Sequence, residues 1–198
     1  MSTYREFIEA ARGRLIAAEH QTLEHPRLGL VEYASGGAGR PFFLCHPLFG
    51  GFDIGPGLAE TYVGRDHRFI TPSRFGYLGS TLPQAATPAD QADAYASILD
   101  TLDIRRTIIF GYSAGGPSAI QFAMRHPSRT AALVLMASAL PGKAGAPPKA
   151  VAQALFGSDR FFWLLKRYAP ALFARLLGMP KSFRATDEER RRVAEAAD

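Results

Sequence analysis

The chain has 198 residues, 47% of them hydrophobic and 21% charged, with a formal net charge of +5. That length suffices for one domain with a substantial core, and the balance is that of a soluble globular protein. No window of about 20 residues is free of charge, which argues against a membrane span. The basic surplus comes without an aromatic-laced motif, so it reads as a solvated face and not as a nucleic-acid surface. Cys45 is the only cysteine and the N-terminus carries charges throughout; together they point to a reducing, cytoplasmic setting.

In chain order, the sequence predicts a helix over residues 4–14, then two strands within HQTLEHPRLGLVEYASGG joined by a turn near His25-Pro26. Three apolar runs read as buried strands: PFFLCH (41–46), HRFITPS (67–73) and RTIIFGY (106–112). A fourth, AALVLMAS (131–138), has the same character. Continuous apolar residues, with no alternation, suit a parallel sheet covered on both faces. Between the second and third runs, Thr87 suits an N-cap, Pro88 the first helical position and Asp90 the positive end of the dipole. Ala92, Tyr95, Leu99 and Leu102 then recur at helical spacing. A further helix is expected from Ala114 to about His126, where Pro127 discourages continuation.

Strand and helix thus alternate, the grammar of a doubly wound α/β domain. The one composition shift is PGKAGAPPKA (141–150), a Pro/Gly-rich linker before a helical, basic tail. Within that tail, FFWLLKRYAPALFARLLGMP (161–180) is interrupted by Lys166, Arg167 and Arg175. It is open to two readings, a lid helix or a membrane-surface helix.

The chemistry centres on IIFGYSAGGPSA (108–119), in which Gly111 to Gly115 fit G-x-S-x-G. A strand ending at Tyr112 and a helix starting at Ala114 put Ser113 on a very tight turn. Gly111 and Gly115 remove side chains that would collide there. The serine hydroxyl is then displayed beside a helix N-terminus, which favours negative charge.

These residues, with HPLFGGFD (46–53), SRFGYLGS (73–80) and AMRHPSRTAALVLMAS (123–138) in the same order, resemble the α/β-hydrolase superfamily. SRFGYLGS is similar to the family's S/D-R-x-G-x-G-x-S loop, with Leu78 inserted in the glycine pattern. The resemblance implies a mostly parallel central sheet flanked by helices over residues 1–140, and a helical cap over 141–198. It implies an ester or related acyl substrate, attacked by Ser113, with an oxyanion hole formed by the backbone N–H groups of Leu48 and Ala114. Pro47 stands where most relatives have glycine, which bears on the geometry of the Leu48 loop. Perhydrolysis, lyase and acyl-transfer chemistry use the same elbow and stay open. The reading calls for no cofactor and no metal, and it leaves the oligomeric state open. Phe156, Phe161, Phe162, Trp163 and Phe173 in the cap segment suggest a hydrophobic small-molecule substrate.

A serine hydroxyl needs a proton acceptor. Of the five histidines, His20 and His25 fall in or before the first hairpin, His67 begins a strand, and His126 ends the helix behind the elbow. The resemblance gives His46 a part in shaping the oxyanion loop. In the family the acid and the histidine follow the sixth strand, where this sequence reads ASALPGKAG. The expectation is therefore a chain that lacks the last strands and both triad partners. Either it is the front part of a longer enzyme, weakly active or inactive by itself, or it is a catalytically silent binding module.

Overall fold

The structure is a computed structural model and describes residues 3–64, 66–138 and 157–176. Every strand expected from the sequence is present: β1 (Gln21–His25), β2 (Gly29–Gly36), β3 (Arg40–Cys45), β4 (His67–Pro72), β5 (Thr107–Tyr112) and β6 (Thr130–Met136). They form one six-stranded sheet in the order β1-β2-β4-β3-β5-β6. β2 pairs antiparallel with β1 and with β4, while β3–β4, β3–β5 and β5–β6 are parallel. The hairpin turn falls at His25, whose ring Nδ1 accepts from the N–H groups of Arg27 and Leu28.

The run PFFLCH is apolar throughout because β3 lies inside the sheet with both faces covered. Side chains alternate across a strand. Phe43 and Cys45 join Ile70, Ile109 and the helix residues Tyr95, Ile98, Leu99 and Phe122. Phe42 and Leu44 join Phe110 and Ala59 on a second cluster. Full burial of such a side chain is worth roughly 1.5–3 kcal/mol, so β3 is the strand least able to move.

β6 is apolar like the inner strands but lies at the end of the sheet. It forms as a parallel neighbour of β5, yet Leu133, Val134 and Leu135 are each about two-fifths exposed. An apolar run identifies a strand that expects cover, and among the described residues β6 is an edge with one strand neighbour.

The helices are α1 (Tyr4–Ala17), α2 (Gly55–Val63), α3 (Pro88–Thr101), α4 (Gly116–Arg125), α5 (Asp159–Tyr168) and α6 (Pro170–Leu176). The sequence reading passed over α2, a short helix with glycines in its first turn and Pro56 at its start. The helix expected from Ala114 begins two residues later, after a 3₁₀ turn over Ser113–Gly115. The chain divides into two compact units, residues 11–144 and residues 1–10 with 145–198. In the second unit, Ser158 caps α5 by accepting from the Phe161 N–H. Phe162 and Phe173 meet edge to face there, with ring centroids 5.0 Å apart. The expected linker at 141–150, Phe156 and the end of the 161–180 segment lie outside the described residues.

α3 shows how closely local sequence can specify an element. The Thr87 side chain accepts from the Asp90 N–H, and the Asp90 carboxylate accepts from the Thr87 N–H, a reciprocal capping box. Thr87→Ala should therefore lower stability by about 1 kcal/mol, read as a shift of the urea midpoint with an unchanged slope.

Candidate active site

The parallel register brings the carboxyl ends of β3, β5 and β6 together. Cys45 stands opposite Gly111, and Tyr112 opposite Met136. The loop His46-Pro47-Leu48 therefore leaves the sheet beside the turn that carries Ser113. Ser113 follows β5 directly and has φ 48°, a left-handed conformation that costs a non-glycine residue of order 1–3 kcal/mol. It is half-buried, and its hydroxyl has no hydrogen-bond partner among the described residues.

The strain is held by packing. A Cβ on Gly115 would fall on the carbonyl oxygen of Cys45 and within 2.8 Å of that of His46. A Cβ on Gly111 would lie 2.8 Å from the Ala119 Cβ and 2.9 Å from the Gly116 Cα. The two motif glycines thus let the elbow settle on the end of β3 and let α4 start against β5. Beneath the turn, the Ser118 hydroxyl donates to the Gly115 carbonyl (3.0 Å) and lies 3.3 Å from the Tyr95 hydroxyl. On the far flank the Ser138 hydroxyl donates to the Gly111 carbonyl at 2.7 Å.

Arg74 joins the two loops. Its backbone N–H donates to His46 Nε2 (2.9 Å), and Nη2 donates to the Pro47 carbonyl and the Tyr77 hydroxyl, each at 3.0 Å. Nη1 reaches the Ala114 carbonyl at 3.3 Å. The loop bearing Arg74 is tied down in turn by Glu32, a buried carboxylate on β2. Glu32 Oε2 accepts from the Gly79 N–H (2.9 Å) and the Ser73 hydroxyl (3.3 Å), while the Ser80 hydroxyl accepts from the Glu32 N–H (3.0 Å). Both serines of SRFGYLGS therefore fasten the loop to β2. The inserted Leu78 takes up φ 48° within it.

Three of the histidines are held by this arrangement or by the elements around it. His46 is fully buried, its Nδ1 donating to the Pro47 carbonyl (2.7 Å) and its Nε2 occupied by the Arg74 N–H. Burial, with the nearby Arg74 charge second, lowers its pKa to about 3. It is a neutral tie in the loop, with no lone pair left for a proton from Ser113. His126 Nε2 lies 3.0 Å from the Asp93 carboxylate, at the opposite end of α4 from the elbow. His20 stacks on Phe52 with centroids 4.5 Å apart. Cys45, behind the elbow, has its thiol pushed up to about 12 by burial and stays protonated.

Of the sequence-derived site residues, Ser113, Ala114 and the Leu48 loop come together at one end of the sheet. The Pro47 substitution is accommodated by two donors on its carbonyl. The Leu48 N–H donates to no described residue. Sequence reasoning passed over Glu32, Tyr95, Ser118 and Ser138. Only Glu32 left a trace, as a charge inside the strand GLVEYASG. Among the described residues, no group of three His, Cys, Asp or Glu side chains gathers that could hold a metal ion. No described helix is long and apolar enough to cross a membrane.

A strained serine between a parallel strand and a helix, on this sheet order, matches one family over most of the chain. Residues 40–191 correspond to the alpha/beta hydrolase fold. The chain belongs to the alpha/beta hydrolase fold family. An alpha/beta hydrolase fold protein from Nakamurella multipartita superposes with a TM-score of 0.61 at 33% identity, over 77% of this chain and 53% of that one. The uncharacterized hydrolase YcgS of Bacillus subtilis is 31% identical over 117 residues, 56% of this chain and 38% of that protein. The 2-hydroxymuconate semialdehyde hydrolase of a Pseudomonas species is 33% identical over 113 residues, 52% of this chain and 38% of that enzyme. The chain thus matches about half or less of the length of these alpha/beta hydrolase relatives.

Two outcomes follow from the packing and the burial. Gly115→Ala must push the elbow off β3, so its thermal midpoint should fall steeply, by the equivalent of about 3 kcal/mol or more. The His46 ring binds a proton near pH 6.5 when unfolded and only near pH 3 when folded. Its contribution is complete above about pH 6.5 and lost as pH falls toward 3. Between pH 7 and pH 5 it should remove about 2 kcal/mol. Urea unfolding of His46→Gln at both pH values should show that much less pH dependence than the parent chain.

Proposed function

We propose that the chain carries the nucleophile and oxyanion half of a serine hydrolase acting on an ester or related acyl substrate. The observation that supports this best is Ser113 at φ 48°, wedged between two glycines that leave no room for a side chain and beside the loop of Leu48, whose N–H donates to no described residue. On this reading Ser113 Oγ bonds to the substrate carbonyl carbon, and the carbonyl oxygen takes the electron pair of the broken π bond. The N–H groups of Ala114 and Leu48 hold the resulting oxyanion, an effect commonly worth several kcal/mol of barrier. Collapse expels the alcohol with the proton lost by the serine, and water then releases the acid. Residues 141–198 serve as the cap, and the apolar side chains they carry favour a hydrophobic substrate.

The proton acceptor is the unfilled role, because no described histidine or carboxylate bonds the Ser113 hydroxyl. That observation favours a second reading, a binding module whose serine is unreactive. Fluorophosphonate labelling and p-nitrophenyl acetate hydrolysis separate the two, with Ser113→Ala in parallel. The hydrolase reading expects labelling confined to Ser113 and slow hydrolysis that disappears in Ser113→Ala. In subtilisin, loss of the triad still leaves roughly a thousandfold over water, so a slow Ser113-dependent rate is the expected outcome. Equal rates for the two chains, with no labelling, establish the binding module instead.

A further inference from the structure

We propose that the cavity between the first turns of α3 and α4 binds the carboxylate of a small organic acid. Its volume is about 260 Å³, and it meets the elbow at Ala114, Pro117 and Ser118. Arg74 is, among the described residues, the single charged one in its lining, and no acid lines it. Among the described residues Arg74 enters no ion pair. Its guanidinium is partly buried, satisfied at Nη1 and Nη2 by carbonyl and hydroxyl oxygens, and stacked over Tyr77 at 4.6 Å. Nε is buried without an acceptor. A cation so placed is left without a compensating charge.

A second donor on the same lining is also unmatched. Gln91 is 5% exposed, and its Oε1 accepts from the Phe75 N–H at 2.7 Å. Its Nε2 is buried and has no acceptor. Two orphaned N–H groups lie buried just behind one wall; they are costly where they stand, and a ligand oxygen reaches them only as that wall adjusts around it. The positive ends of two helices face the same space, since Thr87 and Pro88 line it from α3 and Pro117 and Ser118 from α4. Asp90, the acid in the first turn of α3, is engaged by Thr87 and does not line the cavity. The rest of the wall, Phe75, Leu82 and Pro117 above all, is apolar and suits a short carbon chain. A small carboxylate satisfies both halves of this lining.

The inference rests on the hydrolase reading only for the source of the acid, either free or at the end of a substrate's acyl group. Binding is therefore tested without turnover. The whole chain is titrated with butyrate, with neutral butyramide and with inorganic phosphate, followed by the backbone amide signals of Ala114 and Ser118 and the side-chain amide of Gln91. Butyrate should shift these signals and bind at least about tenfold more tightly than butyramide. Phosphate, which cannot use the apolar wall, should bind more weakly than butyrate. Leu82 is 70% exposed at the rim, so Leu82→Glu and Leu82→Lys keep the fold while losing the same apolar contact. Leu82→Lys should bind butyrate more tightly than Leu82→Glu, by about threefold or more. No binding of butyrate, equal binding of butyrate and butyramide, phosphate as tight as butyrate, or equal affinities of the two Leu82 variants would each overturn the proposal. Labelling of Ser113 is unaffected by any of these results, so the two readings fail separately.

Discussion

The seating of the Ser113 turn on the end of β3 governs everything built at this end of the sheet. Gly115 lies against the carbonyls of Cys45 and His46 so closely that no side chain fits. That approach fixes where α4 begins, and the start of α4 fixes the left-handed serine before it. β3 can serve as the anvil because Phe42, Phe43, Leu44 and Cys45 are all buried, with alternate side chains in opposite clusters. The strain at Ser113 is thus balanced against packing of the whole central strand, far more energy than the roughly 1–3 kcal/mol the turn demands.

Around that contact the polar groups are matched by hydrogen bonds more than by opposite charges. Arg74 spends its donors on the carbonyls of Pro47 and Ala114, and Glu32 is held by an N–H and a hydroxyl. The result is two loops, 46–51 and 73–80, locked together by a shared set of donors and acceptors. His46 is the instructive member. Its two ring nitrogens are committed to Pro47 and Arg74, and burial keeps it neutral, so it lends shape and not basicity. A histidine close to a nucleophile in sequence order or in space is a base only if a nitrogen faces the proton.

The sheet was legible in the sequence because its runs are apolar and bounded, and α3 because Thr87, Pro88 and Asp90 mark its start. The elbow was legible because only glycine tolerates the approach at 111 and 115, which leaves a fixed spacing around the serine. α2 was not, since Gly55-Pro56-Gly57 resembles a loop and the helix is stabilised by packing Ala59 under β3 and not by propensity. The exposure of β6 was legible only indirectly: its own hydropathy reports a strand that wants a neighbour, and the edge followed from the absence of later strand motifs in the sequence. Tyr95 and Ser118 looked like ordinary helix positions; their pairing exists only once α3 and α4 pack together.

The geometry also restricts how Ser113 could be served by a base. On the β3 side the space is taken by His46, Pro47 and the Arg74 guanidinium, all committed to one another. Below the turn, Cys45, Tyr95 and Ser118 fill the interior, and the Cys45 thiol is held protonated by burial. The remaining flank lies over the end of β6, where Ala137 adopts φ 45° and Ser138 bonds the Gly111 carbonyl. On the proposed hydrolase reading, a proton acceptor must come to Ser113 from that flank. On the same reading the oxyanion donors do not depend on it, since Ala114 and Leu48 follow β5 and β3 directly. On that reading the two parts of the chemistry are separated: charge stabilisation belongs to the loops that leave the buried strands β3 and β5, and proton transfer to the flank over β6, an edge strand among the described residues.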